Sequence, residues 1–401
     1  MAIPATLLAA TGAADVQFNG DRPWDLQVHR RQFYGELLRT GSLALGDGYV
    51  RGDWDCDHLS EMISRLLKSG ANRPLALQGR LFESIQWLSD QILNPQGITQ
   101  SLRVGRRHYD IDPRVYEAML GPSMAYSCGY WRHATNLDDA QEAKLHLVCK
   151  KLELKPGDRL LDVGCGWGAL ARVASQHYGA EVVAITISNR QASYIREKFS
   201  DTPITVGVCD YRSLPQLNLE PFDKVASIGM FEHVGRRNDR TFHQAMNDCL
   251  NPEGLMLLHT IGSASTTHRT DRWIDTHIFP GGRLPSAMQL CKGLEGILLI
   301  EDWESFGQDY ERTLLSWWEN FELAWPRLCQ EIGQDFYRFW RYYLLSCAGY
   351  FRSRQGQLWQ LVLSRADRQS TYRSIRPSSD EWISTSSPQD AADSGQECCI
   401  N

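Results

Sequence analysis

Residues 160–168 read Leu160-Leu161-Asp162-Val163-Gly164-Cys165-Gly166-Trp167-Gly168, a buried strand running into a glycine-rich turn. The next residues, ALARVASQHYG (169–179), have the spacing of a helix. Glycines let the backbone approach a ligand closely at the carboxyl end of a sheet. A dinucleotide loop is spaced G-x-G-x-x-G; here the spacing is G-x-G-x-G with an Asp ahead. A purely structural tight turn is the competing reading. The strand, turn, helix and next strand in correct order weigh against it.

Downstream, EVVAITIS (181–188), ITVGVCD (204–210), FDKVASIGM (222–230) and LMLLHTIG (255–262) are further β-rich runs beside helical segments. Strands alternating with helices imply an α/β fold with a parallel sheet covered on both faces. GQLWQLVLSR (356–365) reads as a last strand. Before it lie two apolar helical stretches, DYERTLLSWWENFELAWPRL (309–328) and QDFYRFWRYYLLSCAGYF (334–351). In the first, Leu314, Trp317, Trp318, Phe321 and Trp325 recur at three- and four-residue steps.

Toward the N-terminus, residues 1–14 are weakly patterned and read as a loose start. Strand-like pieces (VQFNG, WDLQVH) then alternate with the helical RQFYGELLRTG, and the Gly and Asp residues of LALGDGYVRGDWDCD read as turns. We expect a small N-terminal α+β domain over 1–65, a helical linker over 66–107 and a large α/β domain over 108–376. A disordered acidic tail is expected over 377–401, where Asp380, Glu381, Asp390, Asp393 and Glu397 stand without Lys or Arg. The arginines at 352, 354, 365, 368, 373 and 376 form a basic stretch that either faces anionic lipid or is a solvated edge.

Composition bounds the function. A chain of 401 residues that is 42% hydrophobic and 22% charged is globular and large enough for two domains. A net charge of −6 argues against a dedicated nucleic-acid binder. The 11 cysteines include no C-x-x-C pair, which argues against a metal site and points to reduced thiols in a cytoplasmic protein. The 13 Trp, 15 Tyr and 13 Phe occur without an apolar run long enough to span a bilayer.

The 160–168 pattern resembles the Rossmann-like S-adenosylmethionine-dependent methyltransferases, where this loop holds the methionine end of the cofactor. That resemblance implies cofactor contacts at Asp162, Gly164, Cys165, Gly166, Trp167 and Gly168. The second strand ends in Thr186-Ile187-Ser188 without the acid often used for the ribose, so Thr186, Ile187, Ser188 and Gln191 are expected to border the nucleoside. Asp210-Tyr211-Arg212 sits where such enzymes contact adenine, a turn cap being the alternative.

Further motifs narrow the resemblance: Tyr126-Ser127-Cys128-Gly129-Tyr130-Trp131, Gly229-Met230-Phe231-Glu232-His233-Val234-Gly235, Leu258-His259-Thr260-Ile261-Gly262, Asp309-Tyr310 and Ser346-Cys347-Ala348-Gly349-Tyr350-Phe351. Together, over about residues 15–375, they resemble the cyclopropane-fatty-acyl-phospholipid synthases and the related mycolic acid cyclopropane synthases. The resemblance implies a Rossmann-like class I methyltransferase fold with a mostly parallel seven-stranded sheet and an added helical acyl-binding cap. It implies methylene transfer from S-adenosylmethionine to the cis double bond of an acyl chain in an unsaturated membrane phospholipid. It also implies bicarbonate as base, a homodimer, and transient peripheral association with the inner membrane. Tyr126 and Ser127 join the expected cofactor contacts. The bicarbonate ligands carried over are Cys128, Glu232, His259, Tyr310 and Ile261, the last through its backbone. Taken alone, Cys128 and His259 read equally well as core residues. Glu232, just after an apolar strand, is harder to explain structurally. Cys347 is kept as a site-proximal candidate and not a nucleophile, because a buried thiol without a nearby base is inert. The family commonly has Gly-Asn shortly after His-Tyr-Asp; this chain has Asp112-Pro113, which puts local contacts of that loop in doubt.

The chemistry suits these residue types. An alkene is a poor nucleophile and attacks only a strongly electrophilic methyl, such as that of a sulfonium. A carbocation follows, so the site must exclude water, stabilise positive charge and offer a weak base. Two alternatives remain: a methyltransferase that stops at a methylated or methoxylated product, and a non-enzymatic lipid binder on the same scaffold. Glu232, His259 and Tyr310 together favour ring closure, and the intact glycine turn argues against the lipid binder.

Overall fold

The structure, a computed structural model, describes residues 3–70, 112–267 and 270–375. The acidic tail expected over 377–401 and most of the linker expected over 66–107 lie outside the described residues.

Two short strands, β1 (Gln27–Val28) and β2 (Trp54–Asp55), pair antiparallel near the N-terminus. The main sheet contains β3 (Arg159–Val163), β4 (Glu181–Thr186), β5 (Ile204–Val208), β6 (Phe222–Ile228), β7 (Leu250–Ser263), β8 (Leu298–Ser305) and β9 (Gly356–Arg365). Their order is β5-β4-β3-β6-β7-β9-β8. The pairings among β3 to β7 are parallel, whereas β9 runs antiparallel to both β7 and β8. This is the mostly parallel seven-stranded sheet of the class I methyltransferase fold. Chain order reverses between β3 and β6, which opens a crevice beyond their carboxyl ends. The 160–168 turn and the 229–235 segment both fall there.

Six of the sheet strands match the β-rich runs read from the sequence; β8 does not. Its Glu301, Asp302 and Glu304 break the apolar pattern, and tertiary partners satisfy them: Ser364 for Glu301, Ser374 for Asp302 and Lys151 for Glu304. Two N-terminal readings are also corrected. Residues 5–13 form a helix rather than a loose start, with Leu7 buried in the core. The glycine-punctuated LALGDGYVR lies in a helix, Ser42–Arg51, not in turns. Its glycines serve packing: a Cβ on Gly46 would strike the indole of Trp273, and one on Gly48 would crowd Phe33.

The long helices Asp309–Ile332 and Gln334–Arg352 form a cap, and the helix Leu59–Lys68 packs on the second of them. Gly349 makes that approach possible, since a Cβ there would fall 2.9 Å from Ile63 Cβ. One apolar core therefore runs through the N-terminal helices and the cap, including Phe33, Trp54, Leu59, Trp273, Trp317 and Trp340. Three arginines of the basic stretch, Arg352, Arg365 and Arg368, form ion pairs. Arg352 bridges Glu61 and Glu311 at 2.9 and 2.6 Å, tying an N-terminal helix to the cap. Arg365 pairs with Asp367 at 2.9 Å.

Substituting Gly46→Ala is expected to destabilise the fold by about 1–3 kcal/mol, the usual cost of overpacking. Thermal melting checks this; an unchanged midpoint would mean that the helix shifts away from Trp273 freely.

Candidate active site

Gly164, Gly166 and Gly168 all adopt left-handed backbone, with φ of 81°, 54° and 85°. The tightness comes from neighbours: a Cβ on Gly164 would sit 2.7 Å from Met230 Cβ. The N–H groups of Gly164 and Cys165 donate to the carbonyl of Ile185 at 2.9 and 3.0 Å, which locks the turn to β4. The helix Ala169–Tyr178 starts at this turn.

The turn opens into one continuous cavity of about 1220 Å³. That exceeds the roughly 300–1,000 Å³ of a pocket for one small molecule. Tyr126, Ser127, Asp162, Gly164, Cys165, Gly166, Trp167 and Gln191 line its cofactor end. Tyr310, Leu314, Trp317, Tyr343, Cys347 and Phe351 line it from the cap, and Leu7, Phe18, Leu37, Ile63 and Leu67 line it from the N-terminal helices.

Glu232 and Ile261 also line the cavity. Glu232 follows β6 in a short 3-10 turn, Phe231–His233, and its Oε1 accepts from the Ile261 N–H at 2.6 Å. Its Oε2 is buried with no hydrogen-bond partner among the described residues. Burial pushes this carboxyl up to about 7, against hydrogen bonds from Ile261 and Thr260. Tyr310 lies within electrostatic reach of Glu232, Cys128 and Cys347, and burial holds its phenol well above its ordinary value. Its ring stacks on Phe351 at 4.4 Å and 16°. Burial pushes the Cys347 thiol up to about 12, so it is protonated at neutral pH.

His259 sits on β7 and is 1% exposed. In the ladder it stands opposite Gln360 of β9, which stands opposite Glu304 of β8. Residues directly opposite share a sheet face, and Lys151 caps this row. Its Nζ donates to Glu304 Oε2 at 2.5 Å and Gln360 Oε1 at 2.9 Å. Lysine only donates, so Gln360 turns its NH₂ toward His259 Nδ1, 3.2 Å away. Nδ1 therefore accepts and the ring proton rests on Nε2, a buried atom with no hydrogen-bond partner among the described residues. Burial, with Lys144 and Lys151 nearby, keeps the imidazole neutral.

With this geometry, a family profile described as mycolic acid cyclopropane synthetase matches residues 96–361. The chain belongs to that family. It is therefore an S-adenosylmethionine-dependent methyltransferase by class. The cyclopropane-fatty-acyl-phospholipid synthase of Escherichia coli K12 is 42% identical over 352 residues, 88% of this chain and 91% of that protein. Cyclopropane mycolic acid synthase MmaA2 of Mycobacterium tuberculosis H37Ra is 34% identical over 263 residues, 61% of this chain and 91% of that one. The solved MmaA2 structure from Mycobacterium tuberculosis superposes with a TM-score of 0.61 at 31% identity, covering 66% of this chain and 98% of that chain. Mycolic acid cyclopropane synthase CmaA1, complexed with SAH and CTAB, gives 0.60 at 30% identity, covering 66% and 98%.

Within this family member the expected site residues separate into two groups. Tyr126, Ser127, Asp162, Gly164, Cys165, Gly166, Trp167, Gln191, Glu232, Ile261, Tyr310 and Cys347 line the cavity. Cys128 and His259 lie fully buried behind it, Cys128 with its Sγ 3.7 Å from Thr313 Oγ1. Gly168, Thr186, Ile187, Ser188, Asp210, Tyr211 and Arg212 lie outside the lining. Thr186 Oγ1 donates to Gln191 Oε1 at 2.6 Å, and Ser188 caps the helix Asn189–Lys198. Asp210 caps its own turn and holds Arg212 by two contacts of 2.7 Å, while Tyr211 packs on Phe242. Asp112, at the departure from the family pattern, caps the helix Pro113–Leu120. Reading the sequence missed Lys144, Lys151, Glu304 and Gln360. No motif marks them, although Lys144 and Lys151 carry the signal of charge within a helix that the fold buries.

Selective ¹⁵N labelling of histidine is expected to show His259 as the neutral Nε2–H tautomer. In Gln360→Leu the ring should populate both tautomers. An Nδ1–H signal in the parent protein would refute the row.

Proposed function

We propose that this enzyme transfers a methylene group from S-adenosylmethionine to the cis double bond of an unsaturated acyl chain in a membrane phospholipid, closing a cyclopropane ring. The observation that carries the reading is one cavity lined both by the glycine turn and by apolar side chains of the cap, with Glu232 on its wall. One end suits a charged cofactor, the other an alkyl chain.

In the reaction the alkene π pair forms a C–C bond to the sulfonium methyl while the S–CH₃ bond breaks, releasing S-adenosylhomocysteine. The carbocation left behind loses a proton from the added methyl, and that C–H pair closes the ring. The faces of Tyr310, Trp317 and Phe351 support transient positive charge, an effect of about 0.5–2 kcal/mol per ring. The apolar walls keep out water that would trap the cation.

Two polar atoms near each other suit a small oxyanion bearing one acidic proton. Glu232 Oε2, on the cavity wall, and His259 Nε2, buried outside the lining, have no hydrogen-bond partner among the described residues, one an acceptor and the other an N–H donor. Bound bicarbonate, held by Glu232, His259 and Tyr310, would supply a weak base. Glu232 accepts a proton at Oε2, and Tyr310 donates from its hydroxyl. Cys128 keeps its proton, since burial holds its thiol well above the ordinary value, and contributes packing beside Thr313. The Ile261 N–H is used to orient Glu232.

Incubation with S-adenosylmethionine and vesicles of unsaturated phospholipid should yield acyl chains one CH₂ heavier without the double bond. A heavier chain that retains the alkene, or a methoxy product, would instead establish a methyltransferase that stops early. Glu232→Gln should abolish turnover and spare cofactor binding; full activity would refute its role. At saturating bicarbonate, kcat/KM should rise with pH through about 7 as Glu232 ionises. A flat profile from pH 5 to 9 would count against the ionised carboxylate.

A further inference from the structure

The cavity meets solvent where side chains of its lining are exposed. Those are Arg39, Asp271 and Arg272, with hydroxyl and amide groups at 265–267 and 355. Two helices frame this opening. Ser42–Arg51 begins just after Arg39, and Arg272–His277 packs along it, with Gly46 against Trp273 and His277 Nε2 2.9 Å from Asp47 Oδ1. The contacts advance in the same direction on both helices, so Ser42 and Arg272 stand at the same end of the pair. Asp271 is occupied there as a cap, its Oδ1 accepting from the N–H groups of Trp273 and Ile274. Arg39 and Arg272 form no ion pair or side-chain hydrogen bond among the described residues.

Leu37, Leu38, Leu45, Trp273 and Ile274, from the same two stretches, also line the cavity. A ligand that suits both features carries an alkyl chain and, at one end, an anion. The charge cannot follow the chain between apolar walls without a heavy desolvation cost, so it stays at the opening. The planar guanidinium fork matches the oxygens of a phosphate. We propose that Arg39 and Arg272 bind the phosphodiester of the substrate phospholipid at the cavity mouth. The enzyme then selects acyl chains esterified to a glycerophosphate, and reads the phosphate instead of the group beyond it. This inference rests on the phospholipid reading above and names the part of the substrate that the mouth recognises. Free phosphate has the same charge chemistry, and an anionic bilayer surface would attract the same arginines. The apolar lining beside them favours a phosphate that carries acyl chains.

The test uses the full-length protein in neutral detergent micelles, which carry no surface charge. The probes are phosphatidylcholine with dibrominated acyl chains and diacylglycerol with the same chains. Bromine quenches tryptophan, and Trp167, Trp273 and Trp317 line the cavity. Neither probe has a double bond, so binding is read apart from the chemistry. The parent should bind the phospholipid at least about 10-fold more tightly than the diacylglycerol. Arg39→Gln and Arg272→Gln should each lose about 3- to 10-fold on the phospholipid, the scale of one charge-assisted contact, and less than about 2-fold on the diacylglycerol. A parent that binds the two probes equally overturns the proposal, as do variants that keep the parent's ratio. Variants that keep this ratio and weaken only on anionic vesicles assign the arginines to the bilayer surface. Displacement of the phospholipid by millimolar inorganic phosphate, but not by chloride at equal ionic strength, would make the mouth a free-anion site and also overturn it. A parent that discriminates the probes yet closes no ring on unsaturated phospholipid would leave this subsite standing and remove the ring-closing reading alone.

Discussion

The site depends on one topological constraint, the reversal of strand order between β3 and β6. Neighbouring parallel strands whose chains depart in opposite directions leave their carboxyl ends uncovered. The chain fills this gap with a turn in which three residues take left-handed backbone. Only glycine does so here without steric cost, and at Gly164 a side chain would also collide with Met230. The cofactor end of the cavity, the placement of Glu232 after β6 and that of His259 on β7 all follow from that crevice.

A second constraint is the burial of charge. Lys144, Lys151, Asp162 and Glu232 all lie in the protein interior. Most buried ions in proteins are paired and hydrogen-bonded. Lys151 follows that rule, held by Glu304 and Gln360. Lys144 and Asp162 follow it only in part, as does Glu232, and these three line the cavity. The division is a physical one: satisfied charges hold the sheet row in register, and incompletely satisfied ones face the space where ligands come.

The N-terminal helices take part in the site instead of standing apart from it. They share an apolar core with the cap and supply part of the cavity wall. Contacts such as Gly46 on Trp273 and Gly349 on Ile63 need small residues at the point of closest approach. The same glycines look like turn signals in the sequence, because a residue without a side chain serves both purposes and only its neighbours distinguish them.

By itself the sequence determined the sheet's alternating strands, the turn at 160–168, the two aromatic cap helices and the motifs that hold Glu232, His259 and Tyr310. These are local patterns, set by period and by residues whose backbone or chemistry has few uses. The tertiary structure decided what depends on partners distant in the chain. β8 became a strand because Ser364, Ser374 and Lys151 satisfy its acids. His259 acquired its tautomer from Gln360, 101 residues away. Asp210 and Arg212 closed on each other as a cap. Whether a polar side chain packs, caps or faces a cavity depends on which distant group satisfies it, and that is settled only when the chain has folded.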